Sequence, residues 1–182
     1  MNSCTRSSEP PALVTFITPP EKVGHPVWNT LSAPAEIIAA AGRQVVVCER
    51  KPSAARKLLM AGRGGLNLTH SEPLERFLNR YAPPAPLLQN AVRRFPPEAL
   101  RAWSESLGEA TFVGSSGRVF PQSFKASPLL RAWLDRLARY GVTLRTGREW
   151  TGWDESGNLL FTGPGGIETL MPAATLLALG GA

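Results

Sequence analysis

The run Val45-Val46-Val47-Cys48-Glu49-Arg50 reads as a β-branched strand closing on an acidic residue, and a few residues later the chain enters Lys57-Leu58-Leu59-Met60-Ala61-Gly62-Arg63-Gly64-Gly65-Leu66-Asn67-Leu68-Thr69-His70. This pairing constrains the fold more than any other feature. Gly62, Arg63, Gly64 and Gly65 make a loop of bare backbone amides beside a cation. A phosphate or a flavin ring can approach such a loop closely, because no Cβ stands in the way. An acidic residue at the end of the second strand of a βαβ unit is where dinucleotide-binding sheets hold a ribose hydroxyl. Together the two features imply a dinucleotide cofactor.

The flanking pattern agrees. Ser32-Ala33-Pro34-Ala35-Glu36 opens a helix, with serine as cap and proline in the first turn, and Gly42 stops it before a strand over Arg43 to Arg50. Helix, glycine stop and buried strand make the second half of a βαβ unit. Residues 1–31 are atypical: Pro10-Pro11, Pro19-Pro20 and Pro26 surround one apolar run, Ala12 to Ile17, which is an edge strand or no element. Poor order is expected up to Leu31.

After the glycine run the spacing predicts helices over Ser71 to Tyr81, Pro86 to Arg94 and Pro97 to Leu107, then a loop over Gly114 to Pro121. A helix from Ser127-Pro128 carries Leu130, Trp133, Leu134 and Leu137 on one face and ends at Gly141. Val142 to Thr146 is a strand, and Trp150 to Asp154, Asn158 to Thr162 and Ile167 to Met171 form a meander. Ala174 to Leu179 is almost continuously apolar, the pattern of a strand buried on both faces. The fold class is α/β: an incomplete Rossmann-like sheet, with a helical insert over residues 71–140 and a β-meander over 150–171, all within a partial nucleotide-binding domain at 32–182.

Composition excludes several classes. With 43% hydrophobic residues in 182, the chain can build a core, yet no apolar run approaches the roughly 18 residues a bilayer requires. The start has no secretory pattern, and Cys4 and Cys48 make neither a disulfide framework nor a metal cluster. The expected location is cytoplasmic, with no membrane partner. The net charge of +6 comes mainly from scattered arginines. Without a Lys/Arg block, an RNA-binding motif or zinc-finger spacing, nucleic acid is disfavoured, and a basic interaction module is the weakest alternative. His25 and His70 mark no metal site, and Ser115-Ser116 is no nucleophile elbow. Cys48 reads as a small hydrophobe, Trp103 and Trp133 as core.

The wording Arg56-Lys57-Leu58-Leu59-Met60-Ala61-Gly62-Arg63-Gly64-Gly65-Leu66-Asn67-Leu68-Thr69-His70 is similar to that of the BaiN/RdsA-type NAD(P)/FAD-dependent oxidoreductases, flavoproteins with two dinucleotide-binding domains. Gly117-Arg118-Val119-Phe120-Pro121 with Lys125-Ala126-Ser127 matches a second stretch of that family, and Thr175 to Ala182 a third. The resemblance covers Ala35 to Ala182. It implies FAD as cofactor and NAD(P)H as reductant. The cofactor-binding positions it implies are Glu49, Arg50, Lys57, Gly62, Arg63, Gly64, Gly65, Asn67, Gly180 and Gly181. Arg118 either reaches the flavin or a substrate carboxylate, or caps a loop. A small-molecule substrate is implied. No residue is assigned as acid, base or hydride carrier, since the flavin supplies that chemistry.

Two departures stand out. The family's G-x-G-x-x-G turn should fall near Pro26, Trp28 and Leu31, none of which is glycine, and Ala55 stands where glycine is usual. Relatives also continue beyond the final glycines. The expectation is a truncated member of the family. The alternative is a non-catalytic remnant of a broken or mis-called gene that binds no flavin.

Overall fold

The computed structural model describes residues 14–17, 28–81 and 86–177. In chain order the elements are β1 (Val14–Ile17), α1 (Trp28–Ala40), β2 (Val45–Glu49), α2 (Arg56–Ala61), a 3-10 turn (Gly62–Gly64), β3 (Thr69–His70), α3 (Leu74–Asn79), α4 (Pro86–Arg94) and α5 (Pro97–Ser106). Then come β4 (Thr111–Val113), β5 (Arg118–Pro121), α6 (Ala126–Arg139), β6 (Thr143–Thr146), β7 (Glu149–Trp153), β8 (Leu159–Gly163), β9 (Gly166–Leu170) and β10 (Ala174–Leu177). They divide into two compact units, one of Met1–Ala54 with Leu137–Ala182, the other of Ala55–Arg136.

In the first unit a four-stranded parallel sheet has the order β10-β1-β2-β6. All five residues of β2 are buried. Successive side chains of a strand point to opposite faces, so β2 serves two cores. Val45 and Val47 pack with Ala35 and Ala39 of α1, and Ile38 and Val142 close around them. Val46 and Cys48 pack with Leu159 and Phe161 of β8, flanked by Trp150 and Leu170. The antiparallel sheet β7-β8-β9 is the meander expected from the sequence. The unit therefore has three layers, helix, parallel sheet and meander. This explains the unbroken Val45-Val46-Val47-Cys48 run: both faces of the strand lie under a cover.

Three elements differ from expectation. Val14–Ile17 is neither an edge strand nor without structure, but an interior strand paired with β10 on one side and β2 on the other. Its prolines flank the run without interrupting it, and Val, Thr, Phe and Ile all favour extended backbone. Helix α1 begins at Trp28, so Trp28 to Leu31 belong to it and Pro34 lies inside rather than in the first turn. Proline removes one ladder bond there, and the other bonds carry the helix through. Lastly, Ala174–Leu177 is exposed along its whole length. It pairs with β1 at the sheet edge, and among the described residues nothing covers it. The remainder of that apolar run, Ala178-Leu179, and the final Gly180-Gly181-Ala182 lie outside the described residues, as does the rest of the segment before Trp28 apart from β1.

In the second unit β3, β5 and β4 form an antiparallel sheet. The loop expected over Gly114 to Pro121 is in fact a hairpin turn followed by β5. Gly114 N–H donates to Arg118 O at 2.8 Å and Gly117 N–H to Gly114 O at 2.9 Å. Thr111-Phe112-Val113 and Arg118-Val119-Phe120 supply two β-forming runs around a Gly-Ser-Ser-Gly turn. The part of the anticipated α6 stripe that falls in this unit is buried at Leu130 and Trp133, with Leu129 beside it. Trp133 meets Trp103 edge to face, with ring centroids 4.9 Å apart.

Candidate functional site

In the first unit Glu49 and Arg50 lie at the carboxyl end of β2, and the carboxyl ends of the strands are where open α/β sheets bind ligands. Glu49 closes β2 and is 7% exposed. The Lys51 amide donates to its Oε1 at 2.9 Å. Among the described residues no hydrogen bond reaches its Oε2. The backbone around it is tied down too: Arg148 N–H donates to Glu49 O at 3.0 Å and Gly147 N–H to Lys51 O at 3.1 Å. Arg50 turns to Glu149, with Nη1 to Oε1 at 3.5 Å. The result is a fixed, half-satisfied carboxylate at the end of a strand, able to accept from a hydroxyl.

Behind it, Arg148 Nη2 meets Glu168 Oε1 at 2.8 Å and Arg145 Nη1 meets Glu168 Oε2 at 3.8 Å. The Cys48 thiol lies under this group. Burial pushes it up to about 11, the neighbouring arginines pulling the other way. Cys48 is thus held neutral, in keeping with a packing role.

In the second unit the glycine loop follows α2. Lys57 is on that helix. Gly62, Arg63 and Gly64 form the 3-10 turn, with Arg63 and Gly64 exposed, and Asn67 is exposed further on. Buried Leu66 anchors the middle. Leu66 N–H donates to Phe124 O at 3.3 Å, Leu68 N–H to Val119 O at 2.8 Å and Ser71 N–H to Gly117 O at 2.8 Å. A Cβ added at Gly64 would meet no atom within 4 Å. The loop is fixed along one side and open at Gly64, as a cradle for a ligand requires.

His70 is a structural member of this loop. Its Nδ1 accepts from Glu72 N–H at 3.1 Å, so its Nε2 carries the hydrogen and donates to Ser116 O at 3.0 Å. Glu72 bonds to Arg80 through both oxygens, which holds its carboxyl below the ordinary range. Arg118 is exposed at the start of β5, paired in register with His70. Among the described residues no three His, Cys, Asp or Glu side chains gather as metal ligands, and no helix is long and apolar enough to cross a membrane.

The structure groups Gly62, Arg63, Gly64, Gly65 and Asn67 in one loop, and Glu49 and Arg50 at one strand end. Gly180, Gly181 and Pro26 lie outside the described residues. Of the positions at which the resemblance places a glycine turn, Trp28 and Leu31 fall in the first turn of α1. Sequence reasoning missed Phe124. It has φ +58° and sits against Gly65, and nothing in Gln122-Ser123-Phe124-Lys125 signals it.

Comparison with solved structures finds one that shares the fold, and others of lower similarity. A 3-ketosteroid-Δ4-(5α)-dehydrogenase from Rhodococcus jostii RHA1, in complex with 4-androstene-3,17-dione, aligns with TM-score 0.61 at 13% identity, over 96% of this chain and 47% of that one. THI4 of Thermovibrio ammonificans aligns with TM-score 0.49 at 14% identity, over 91% and 55%. Aklavinone-11 hydroxylase, in a ternary complex with FAD and aklavinone, aligns with TM-score 0.45 at 14% identity, over 91% and 32%. The chain thus spans between a third and just over half of the length of these proteins. A search of curated proteins found no significant match. The HI0933-like protein Rossmann domain matches residues 32–182, and the chain belongs to that family.

Proposed function

We propose that this chain is the FAD-binding part of an oxidoreductase in which NAD(P)H reduces the flavin and a small-molecule substrate is turned over. The observation that carries this reading is Glu49, a buried strand-end carboxylate with one oxygen held by the Lys51 amide and the other without a protein donor among the described residues. That is the chemistry a ribose hydroxyl needs.

Each assignment rests on residues inside its own unit. Glu49 takes the adenosine ribose, with Arg50 beside it in sequence. The amides of Gly62, Gly64 and Gly65, with Arg63 and Asn67, serve the pyrophosphate and the flavin. Lys57, Gly180 and Gly181 join them by resemblance. The bound flavin supplies the electron transfer, and the chain binds and orients it. A cytoplasmic location is part of the proposal.

Fit is incomplete at the pyrophosphate. Trp28 and Leu31 stand in the first turn of α1, where the family's glycines let a phosphate meet helix amides. Binding by this chain is therefore weak. A titration of FAD followed by flavin fluorescence tests the reading. Saturable binding displaced by ADP supports it, with affinity raised when Pro26, Trp28 and Leu31 are replaced by glycine. No binding, with or without those glycines, selects the non-catalytic remnant.

A further inference from the structure

The residues leading into β7, Gly147-Arg148-Glu149, hold Glu49-Arg50-Lys51 at the end of β2. Arg148 N–H donates to Glu49 O at 3.0 Å and Gly147 N–H donates to Lys51 O at 3.1 Å. Glu149 Oε1 meets Arg50 Nη1 at 3.5 Å. Lys51 N–H in turn donates to Glu49 Oε1 at 2.9 Å. The carboxylate is therefore aimed by the turn from Glu49 to Lys51, and the carbonyls at both ends of that turn are fixed from Gly147-Arg148.

The side chain of Arg148 anchors this holder to the meander. Its Nη2 meets Glu168 Oε1 on β9 at 2.8 Å. A Cβ at Gly163 of β8 would stand 2.7 Å from the Arg148 Cδ and Nη1 and 2.9 Å from its Cζ. The guanidinium thus lies across the space that a side chain at Gly163 would fill. Gly163 has no left-handed φ, so its missing Cβ is explained by Arg148 and not by its own backbone. Among the described residues nothing hydrogen-bonds the buried Arg148 Nε. An unmade bond of this kind costs stability, and apolar residues often replace a buried ion pair without loss. An arginine is therefore a poor choice for packing alone. It offers a planar, fixed group tied to two strands of the meander, on the residue whose amide holds Glu49.

We propose that Arg148 is a positioning residue for Glu49, and, resting on the FAD reading, that its anchorage at Glu168 and Gly163 sets how well this carboxylate takes a ribose hydroxyl. The guanidinium acts through the backbone amide of its own residue.

The test compares ADP with its dideoxy analogue, which lacks both ribose hydroxyls. Each is titrated into the isotope-labelled full chain, and the backbone amide shifts are followed. The ratio of the two Kd values reads the hydroxyl contact. The wild type should prefer ADP by about tenfold, as for a hydrogen bond to a charged group. Glu49→Ala should bring the ratio to about one. Arg148→Met, which removes the guanidinium and keeps the backbone amide, should reduce the preference to about threefold or less. Gly163→Ala, which pushes the guanidinium aside with every charge in place, should reduce it too. If Arg148→Met fails to fold, Gly163→Ala decides by the same ratio. A merely structural arginine would lower the melting temperature and let both affinities fall together, with the ratio kept. A ratio that stays near the wild-type value in the folded variant therefore overturns the proposal and leaves the FAD reading in place. No preference for ADP in the wild type, or a preference that survives Glu49→Ala, removes the ribose reading and the proposal together.

Discussion

The amide of Lys51 donates to Oε1 of Glu49 at 2.9 Å, so the carboxylate that ends β2 is held by backbone two residues further on. Glu49→Gln retains a carbonyl oxygen for that amide and should fold with a melting temperature close to wild type. Glu49→Ala leaves the amide without its acceptor and should cost about 1 kcal/mol. Urea unfolding of the two variants, side by side, checks the ranking. Equal stability would mean that the bond has no structural weight.

Phe161 is 1% exposed and packs with Val46 and Cys48 from the meander side. Phe161→Ala should cost roughly 3–5 kcal/mol, the usual range for emptying a buried aromatic site. Leu177→Ser on exposed β10 should change stability by about 0.5 kcal/mol or less. Denaturant midpoints for the two variants would reveal whether the meander is a true layer of the first unit.

Stability should fall in alkali through Cys48. Its folded value is raised from 9.0 to about 11, so the folded state keeps the proton after the unfolded chain has lost it. The contribution is fully present below pH 9 and is lost as pH rises toward 11, by roughly 1.4 kcal/mol per unit. Comparing the wild type with Cys48→Ala at pH 8 and pH 10.5 isolates this effect. Parallel losses in both proteins would contradict it.

Ala55 is buried with φ +57°. This is a left-handed backbone, which glycine enters without the steric cost that a Cβ imposes. Ala55→Gly trades relief of strain against lost methyl burial and added chain entropy, and should move stability by less than about 1 kcal/mol. Ala55→Val puts a β-branched side chain at positive φ in a full site and should cost roughly 2 kcal/mol or more. Thermal melts of the pair test this.

Much of this molecule was legible in its sequence where local pattern and tertiary packing agree. The Val45 to Glu49 strand, the α6 stripe and the meander all carry periodicities that their layers then use. Val14–Ile17 was harder to read, because four residues flanked by prolines have no periodicity, and their place inside the sheet comes from pairing with β10 and β2. The apolar Ala174–Leu177 misled for the converse reason: hydrophobicity records what a strand can bury, and at this edge nothing among the described residues covers it. The glycine loop could be found from its residue types. Phe124 could not, since its importance lies in a backbone angle and in a contact across nearly sixty residues of chain, between 65 and 124.

The most direct test is an FAD titration of the wild-type chain beside Glu49→Ala. We predict weak, saturable, one-to-one binding, with a Kd on the order of 0.1–1 mM, corresponding to roughly 4–5.5 kcal/mol. Such binding is too weak for flavin to survive purification. Glu49→Ala should weaken it about tenfold or more, as expected for loss of a charged hydrogen bond to a hydroxyl. Micromolar binding unaffected by Glu49→Ala, or no binding by the wild type at millimolar FAD, would contradict the account.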